Sequence, residues 1–259
     1  MAEYAPQLNL YAVIGRVKSA GTFMFWAVFI LSVYSYLAQH IPVLKRFEDA
    51  ANIANIVFLI LFFIQEIAVD LILIPLAEHR RRDDFIDNSF GSRFATNSSV
   101  GYFDNDAVAH GKYKAAVNLF ENCFFTYSLL KAITPNRLLI PTIVFVLVAI
   151  VAYFGFREVP FALSVLQVLF SGSILGSLIK HLILLTQVGY IQDSWIKLFQ
   201  RPDFSPDNSS YDTEIMRNWL QYETLISRIP ADLPNPVFKK HNDRLTADWE
   251  QMKLKYHIQ

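Results

Sequence analysis

Four long apolar stretches, separated by polar connections, set the pattern of this chain, and each reads as a helix. The first covers Ala20–Ala38, after an amphiphilic entry over residues 1–19 that holds Arg16 and Lys18. Trp26 lies inside it, and Tyr34 and Tyr36 fall near its far end, where amphipathic rings favour an interface. A short connection, His40–Ala50, contains Pro42 and the pair Lys45–Arg46. The second stretch, Ala51–Leu76, would be about 39 Å long as a helix, against a hydrocarbon core of ~30 Å. It should therefore tilt, or carry Pro75 beyond the boundary. The third covers Leu138–Phe156, and Arg157-Glu158-Val159-Pro160 turns it into the fourth, Phe161–Ile191. The expected fold is all-α: an integral membrane protein with four transmembrane helices and a helical cytoplasmic region.

The second stretch is apolar but not uniformly so. A step of about 100° per residue brings Asn52, Asn55, Glu66 and Asp70 into an arc of ~60°, with Leu59, Phe62 and Phe63 near the same line. A carboxylate at the centre of a membrane helix costs about 2.5 kcal/mol or more and faces protein or water. A polar stripe interrupted by bulky apolar side chains suits a pore wall with a dewetting constriction. It equally suits a buried hydrogen-bonding seam within a bundle, and a proton or ion relay is a third use. In the fourth stretch, Gly172 and Gly176 have the spacing that lets two helix backbones approach closely, with Ser173 and Ser177 adjacent. Lys180 either snorkels to headgroups or pairs with Asp70 or Glu66.

Between the second and third stretches lies a polar region of about sixty residues. Glu78-His79-Arg80-Arg81-Arg82, its densest positive block, should continue the second helix as far as Asp87. The following run to Asp106, rich in Asn, Ser, Gly and aromatics, makes turns readily. Lys112–Ile133 then has helical periodicity, with Val117, Phe120, Phe124 and Tyr127 on one side and Asn118, Glu121 and Asn122 on another. It reads as a helix on the cytoplasmic face or beneath the bundle, or as a fifth inserted segment. Beyond Ile191, Asp193–Gln200 extends the fourth helix; Ser209–Ile229 and Val237–His257 read as two more, separated by the proline-rich Pro230–Pro236. The organisation is thus a first transmembrane pair (1–77), a cytoplasmic loop with a helix (78–136), a second pair (137–191) and cytoplasmic C-terminal helices (192–259).

Charge adds orientation. Arg16, Lys18, Arg80–Arg82, Lys131 and Arg137 flank one side, and only Lys45, Arg46 and Arg157 the other. That asymmetry places both termini and the long loop in the cytoplasm. The net formal charge is zero, which argues against general nucleic-acid binding but not against a local basic pocket. Arg80, Arg81, Arg82, Arg93, Lys112 and Lys114, interleaved with Tyr102 and Phe103, form a candidate phosphate- and base-binding surface. Arg80–Arg82 would equally serve to orient the helix and touch anionic lipid. Asp83, Asp84, Asp87, Asp104 and Asp106 read as a solvated acidic face rather than a cation site. Cys123 is the one cysteine, so no intrachain disulfide forms.

The segment RRRDDFIDNSFGSRFATNSSVGYFDND, followed by GKYKAAVNLFENCFFTY, together with the helix order, resembles a family of membrane proteins. These are the four-transmembrane effectors encoded beside nucleotidyltransferases in bacterial anti-phage defence loci, in particular those of the Hailong system. The resemblance implies a homo-oligomeric, ion-channel-like complex, such as a tetramer, in the bacterial inner membrane. It also implies a partner nucleotidyltransferase whose nucleotide or short DNA oligomer controls opening, and depolarisation of the infected cell.

No HExxH, GxxxxGK[ST], GxSxG or CxxC occurs, and the six histidines lack metal-ligand spacing. Neither an enzyme nor a cofactor is expected. The readings are a cytosol-gated pore lined by the striped helix, a small transporter, or a non-conducting membrane scaffold that recruits a partner through its tail.

Overall fold

The structure, a computed structural model, describes residues 5, 7–97, 99–103, 105–154, 175–231 and 233–258. Among the described residues the regular elements are helices: α1 Leu8–His40, α2 Glu48–Ala68, α3 Ile74–Phe90, α4 Lys112–Phe154, α5 Ser177–Phe199, α6 Asp212–Arg228 and α7 Asn235–Lys255. Short 3₁₀ turns occupy Lys45–Phe47 and Ser209–Tyr211, and a π turn at Val69–Leu73 joins α2 to α3. Three described stretches are long and apolar enough to cross a membrane: Leu8–His40, Lys45–Phe90 and Lys112–Ile150. The Arg157–Pro160 turn, Gly172 and residues 161–174 of the fourth apolar stretch lie outside the described residues.

The chain forms two compact units. One comprises Tyr11–Ile74 and Pro135–Ile179. Within it α1 and α2 run antiparallel: Asn55 Nδ2 donates to Ser32 Oγ at 2.9 Å, Phe25 and Phe62 lie with ring centroids 6.1 Å apart, and Gln65 packs onto Gly21. A Cβ built on Gly21 would stand 1.9 Å from Gln65 Oε1, so a larger residue there would displace the amide. Tyr34 closes the pair at the other end by donating its hydroxyl to the Leu44 carbonyl at 2.9 Å. Val144 of α4 is buried with Phe25, Val148 and Leu175 packed against it.

The other unit comprises Met1–Leu10, Pro75–Thr134 and Lys180–Gln259. Its core surrounds the first half of α4, which is buried continuously from Tyr113 to Glu121. Phe120 stacks on Phe199 of α5 at 5.1 Å and meets Trp249 of α7 edge-on at 5.3 Å. Gly189 brings α5 close to α4, because a Cβ there would lie 3.0 Å from the Tyr127 ring.

Three expected boundaries move. The first helix begins at Leu8, so most of the amphiphilic entry is helical rather than irregular. The second does continue past Pro75 to Phe90, but through the π turn, where the Ile74 N–H reaches back to the Val69 carbonyl. Proline supplies no N–H and its ring collides with the carbonyl four residues before it, and one wide turn relieves both conflicts. Pro135 and Pro141 lie inside α4, so the expected break between Ile133 and Leu138 does not occur. Burial of Leu129, Leu130 and Ile133 anchors the turn before Pro135, and packing overrides local propensity.

Pro75→Ala supplies the missing donor. We expect the Val69–Leu73 turn to tighten to α geometry and the helix to gain about 3 kcal/mol at most. Backbone chemical shifts of the variant read the hydrogen-bond register; a π turn that survives unchanged shows another cause for it.

Candidate functional site

The long connection after α3 is not a free loop. Asp84 and Asp87, one turn apart, both face inward, 1% and 6% exposed. Asp87 Oδ1 accepts from Ser92 Oγ at 2.7 Å and from the Phe94 N–H at 2.8 Å, and its Oδ2 accepts from the Ala95 N–H at 2.7 Å. Asp84 Oδ1 accepts from the Ser99 N–H at 2.7 Å. The connection from Ser92 to Ser99 is therefore wrapped back on the helix that precedes it. These two aspartates are loop anchors, which corrects the expectation of a solvated acidic face; Asp83 and Asp106 remain more open, and Asp104 lies outside the described residues.

A second polar network joins the connection to α4. Asn105 Nδ2 donates to Asn118 Oδ1 at 2.9 Å and to Glu121 Oε2 at 2.6 Å. Asn118 Nδ2 donates in turn to Asn88 Oδ1 at 2.8 Å and Ser89 Oγ at 3.1 Å. The polar face of α4 seen in the sequence is thus buried, and α3 and the loop satisfy it. Among the described residues no group of three His, Cys, Asp or Glu side chains is placed to hold a metal ion.

A third feature is an ion triad. Arg81 Nε lies 2.8 Å from Glu78 Oε2, and its Nη2 lies 2.6 Å from Glu223 Oε2 of α6. The three side chains are only 11%, 5% and 13% exposed. Beside them the Tyr222 hydroxyl sits 3.2 Å from Thr126 Oγ1, and burial pushes this phenol well above its ordinary range. Burial likewise raises the Tyr102 phenol, against the opposing pull of the Arg81 charge. Trp219 of α6 is stacked by Phe90 at 5.9 Å and met edge-on by Phe85 at 5.3 Å, tying the same two helices.

The candidate ligand residues consequently separate. Arg81 is paired with two carboxylates, and Phe103 is core, 5% exposed and edge-on to Phe85 at 6.3 Å. Arg82 directs Nε to the Glu78 carbonyl at 3.1 Å, and the Tyr102 ring meets Phe103 at 4.8 Å. Arg80 and Arg93 are exposed. Lys112 is exposed and pairs with Asp212, whereas Lys114 is buried, 3% exposed.

In the unit that contains α2, the polar stripe splits along its edge. Asn55 and Phe62 turn toward α1, where they meet Ser32 and Phe25. Asn52, Leu59, Phe63, Glu66 and Asp70 stay uncovered, Leu59 at 52% and Phe63 at 65% exposure. The residue that α1 does cover is Gln65, 8% exposed, which the sequence reading passed over. Lys180 is exposed. No protein family, curated protein or solved structure matches the chain.

Arg81→Met leaves Glu78 and Glu223 facing each other without a cation. We expect a loss of about 3–5 kcal/mol in denaturant unfolding, and recovery of most of it when Glu78→Gln and Glu223→Gln are added. A single substitution that costs under about 1 kcal/mol, as a surface pair would, removes the triad from the core argument.

Proposed function

We propose that this protein is a ligand-gated, ion-channel-like membrane effector. Several copies assemble so that the uncovered edge of α2 lines a shared aqueous path. One observation carries this reading: Glu66 and Asp70, on a helix long and apolar enough to cross a membrane, are exposed in the single chain. Carboxylates at membrane depth face protein or water, and within one copy α1 covers Gln65 instead of them. Neighbouring copies supply the missing surroundings. Asn52 and the two carboxylates form polar rings in the assembly, and Leu59 and Phe63 narrow the path between them.

The unit built around the first half of α4 supplies the sensing half of the proposal. Its loop is held at defined points by Asp84, Asp87 and Asn118, yet leaves Arg93 exposed. A ligand shifts the gate only if it binds the closed and open states with different free energies. The resemblance noted above makes the setting bacterial defence at the inner membrane with both termini cytoplasmic. The signal is then a nucleotide or short DNA oligomer from a partner nucleotidyltransferase, and the outcome is depolarisation.

Purified protein in planar bilayers should conduct, and Glu66→Gln with Asp70→Asn should shift the reversal potential toward lower cation preference. An assembly that is electrically silent with and without the signal, or reversal potentials untouched by neutralising both groups, rejects the proposed path.

A further inference from the structure

The unit around the first half of α4 takes in the chain as far as Leu10, whereas α1 from Tyr11 onward belongs to the other unit. The covered positions before α1 are Ala5, 2% exposed, and Gln7, 1% exposed, while Leu8 and Asn9 are exposed. The Leu8 N–H donates to the Ala5 carbonyl at 3.1 Å, so the segment turns straight into the helix. A shift of Gln7 therefore acts directly on the start of a stretch long and apolar enough to cross a membrane.

Gln7 is poorly satisfied where it sits. Burial raises the Tyr102 phenol, and the Gln7 amide lies close enough to this hydroxyl to pull the other way. Neither Nε2 nor Oε1 of Gln7 reaches hydrogen-bond geometry, however, and both are closed to solvent. Among the described residues it is the one side chain with two such atoms. A buried donor and acceptor left unmade lose their hydration and recover nothing for it. Asp87 and Asn118 of the same unit, by contrast, each have several partners. Tyr102 itself lies between two anchors of the connection, Ser99 on Asp84 and Asn105 on Asn118 and Glu121.

We propose that the segment ending at Gln7 is a releasable strap: docked on Tyr102, it ties the start of α1 to the connection before α4, and it lets go when that stretch moves. Burial of Ala5 and of the Gln7 stem holds the strap, and the unmade amide bonds oppose it. The docked and free forms therefore lie close in free energy, and water satisfies Gln7 in the free form. The regulatory use of the strap rests on the proposed function; its docking and release do not.

Ala5→Cys in the full chain, held in nanodiscs, puts a thiol on the docked segment. Asn9→Cys is the exposed reference, and the parent, whose lone Cys123 is buried, gives the background. A maleimide should label Ala5→Cys about tenfold more slowly than Asn9→Cys, yet to completion, because the thiol reacts each time the strap opens. Adding Gln7→Leu keeps the bulk and removes the stranded amide, and should slow labelling about tenfold further. Gln7→Glu, a carboxylate set beside Asp84 and Glu121, whose charges already reach Tyr102, should raise the rate to that of Asn9→Cys. Tyr102→Ala removes the seat and should do the same, so release is still tested if one of the two impairs folding. In planar bilayers Gln7→Leu and Gln7→Glu should move open probability in opposite directions. Equal labelling at positions 5 and 9 of the otherwise unaltered chain, or rates indifferent to all three substitutions, overturns the strap. Labelling that responds while open probability does not rejects its regulatory use. A silent parent with labelling as stated rejects the channel and leaves the strap standing.

Discussion

A helix buried on every side has no surface on which to place its own polar side chains, and this constraint governs the unit around the first half of α4. From Tyr113 to Glu121 no residue reaches solvent appreciably, although Lys114, Asn118 and Glu121 are among them. Each buried polar group forfeits hydration and must recover it from a partner at a defined distance. Asn105, Asn88 and Ser89 provide those partners for Asn118 and Glu121. The loop before α4 therefore has little freedom, because shifting it by one residue would leave Asn118 with an unmade bond. Apolar neighbours on the opposite side, Phe199 and Trp249 against Phe120, bring most of the burial energy but would tolerate small slips.

The same division between driving force and geometry holds where α3 meets α6. Trp219 between Phe85 and Phe90 supplies apolar contact, and the Arg81 triad sets which turn of α3 faces which turn of α6. A buried ion pair contributes little net stability against a well-packed apolar alternative, since desolvation offsets most of the attraction. It penalises misalignment strongly, however. Asp84 and Asp87 act similarly on the connection, turning backbone N–H groups that would otherwise face water into fixed points.

Much of this helical pattern was legible in the residues. Apolar periodicity located α6, α7, the start of α2 and the end of α5 to within a few positions, and the polar stripe of α2 was visible as a stripe. Burial of polar residues was not legible. Asp84, Asp87 and Arg81 look like a charged cytosolic edge in sequence, because nothing local distinguishes a solvated carboxylate from one that receives three donors from residues five to eight positions away. Glu223 as a partner for Arg81 lies in a helix far along the chain, beyond any window of periodicity. Proline misled for the opposite reason. Its local rule predicts a break, but a π turn accommodates Pro75, and buried neighbours hold the turn before Pro135.

What remains is why the stripe on α2 lies beside the contact with α1 and not within it. Ala51, Gln65 and Val69 are the buried positions, and Phe62 and Asn55 border them. Asn52, Glu66 and Asp70 come next around the helix, one step outside the covered strip. Had the carboxylates been core groups of one copy, they would occupy the strip that Gln65 occupies, and Gly21 would make room for them. Glycine instead makes room for a neutral amide, the cheaper group to bury. The helix pair thus hides its uncharged polar side chain and leaves its charged ones at the margin. In hydrocarbon such a margin costs about 2.5–3.5 kcal/mol per acid near the centre, a cost that only water or a pairing partner offsets.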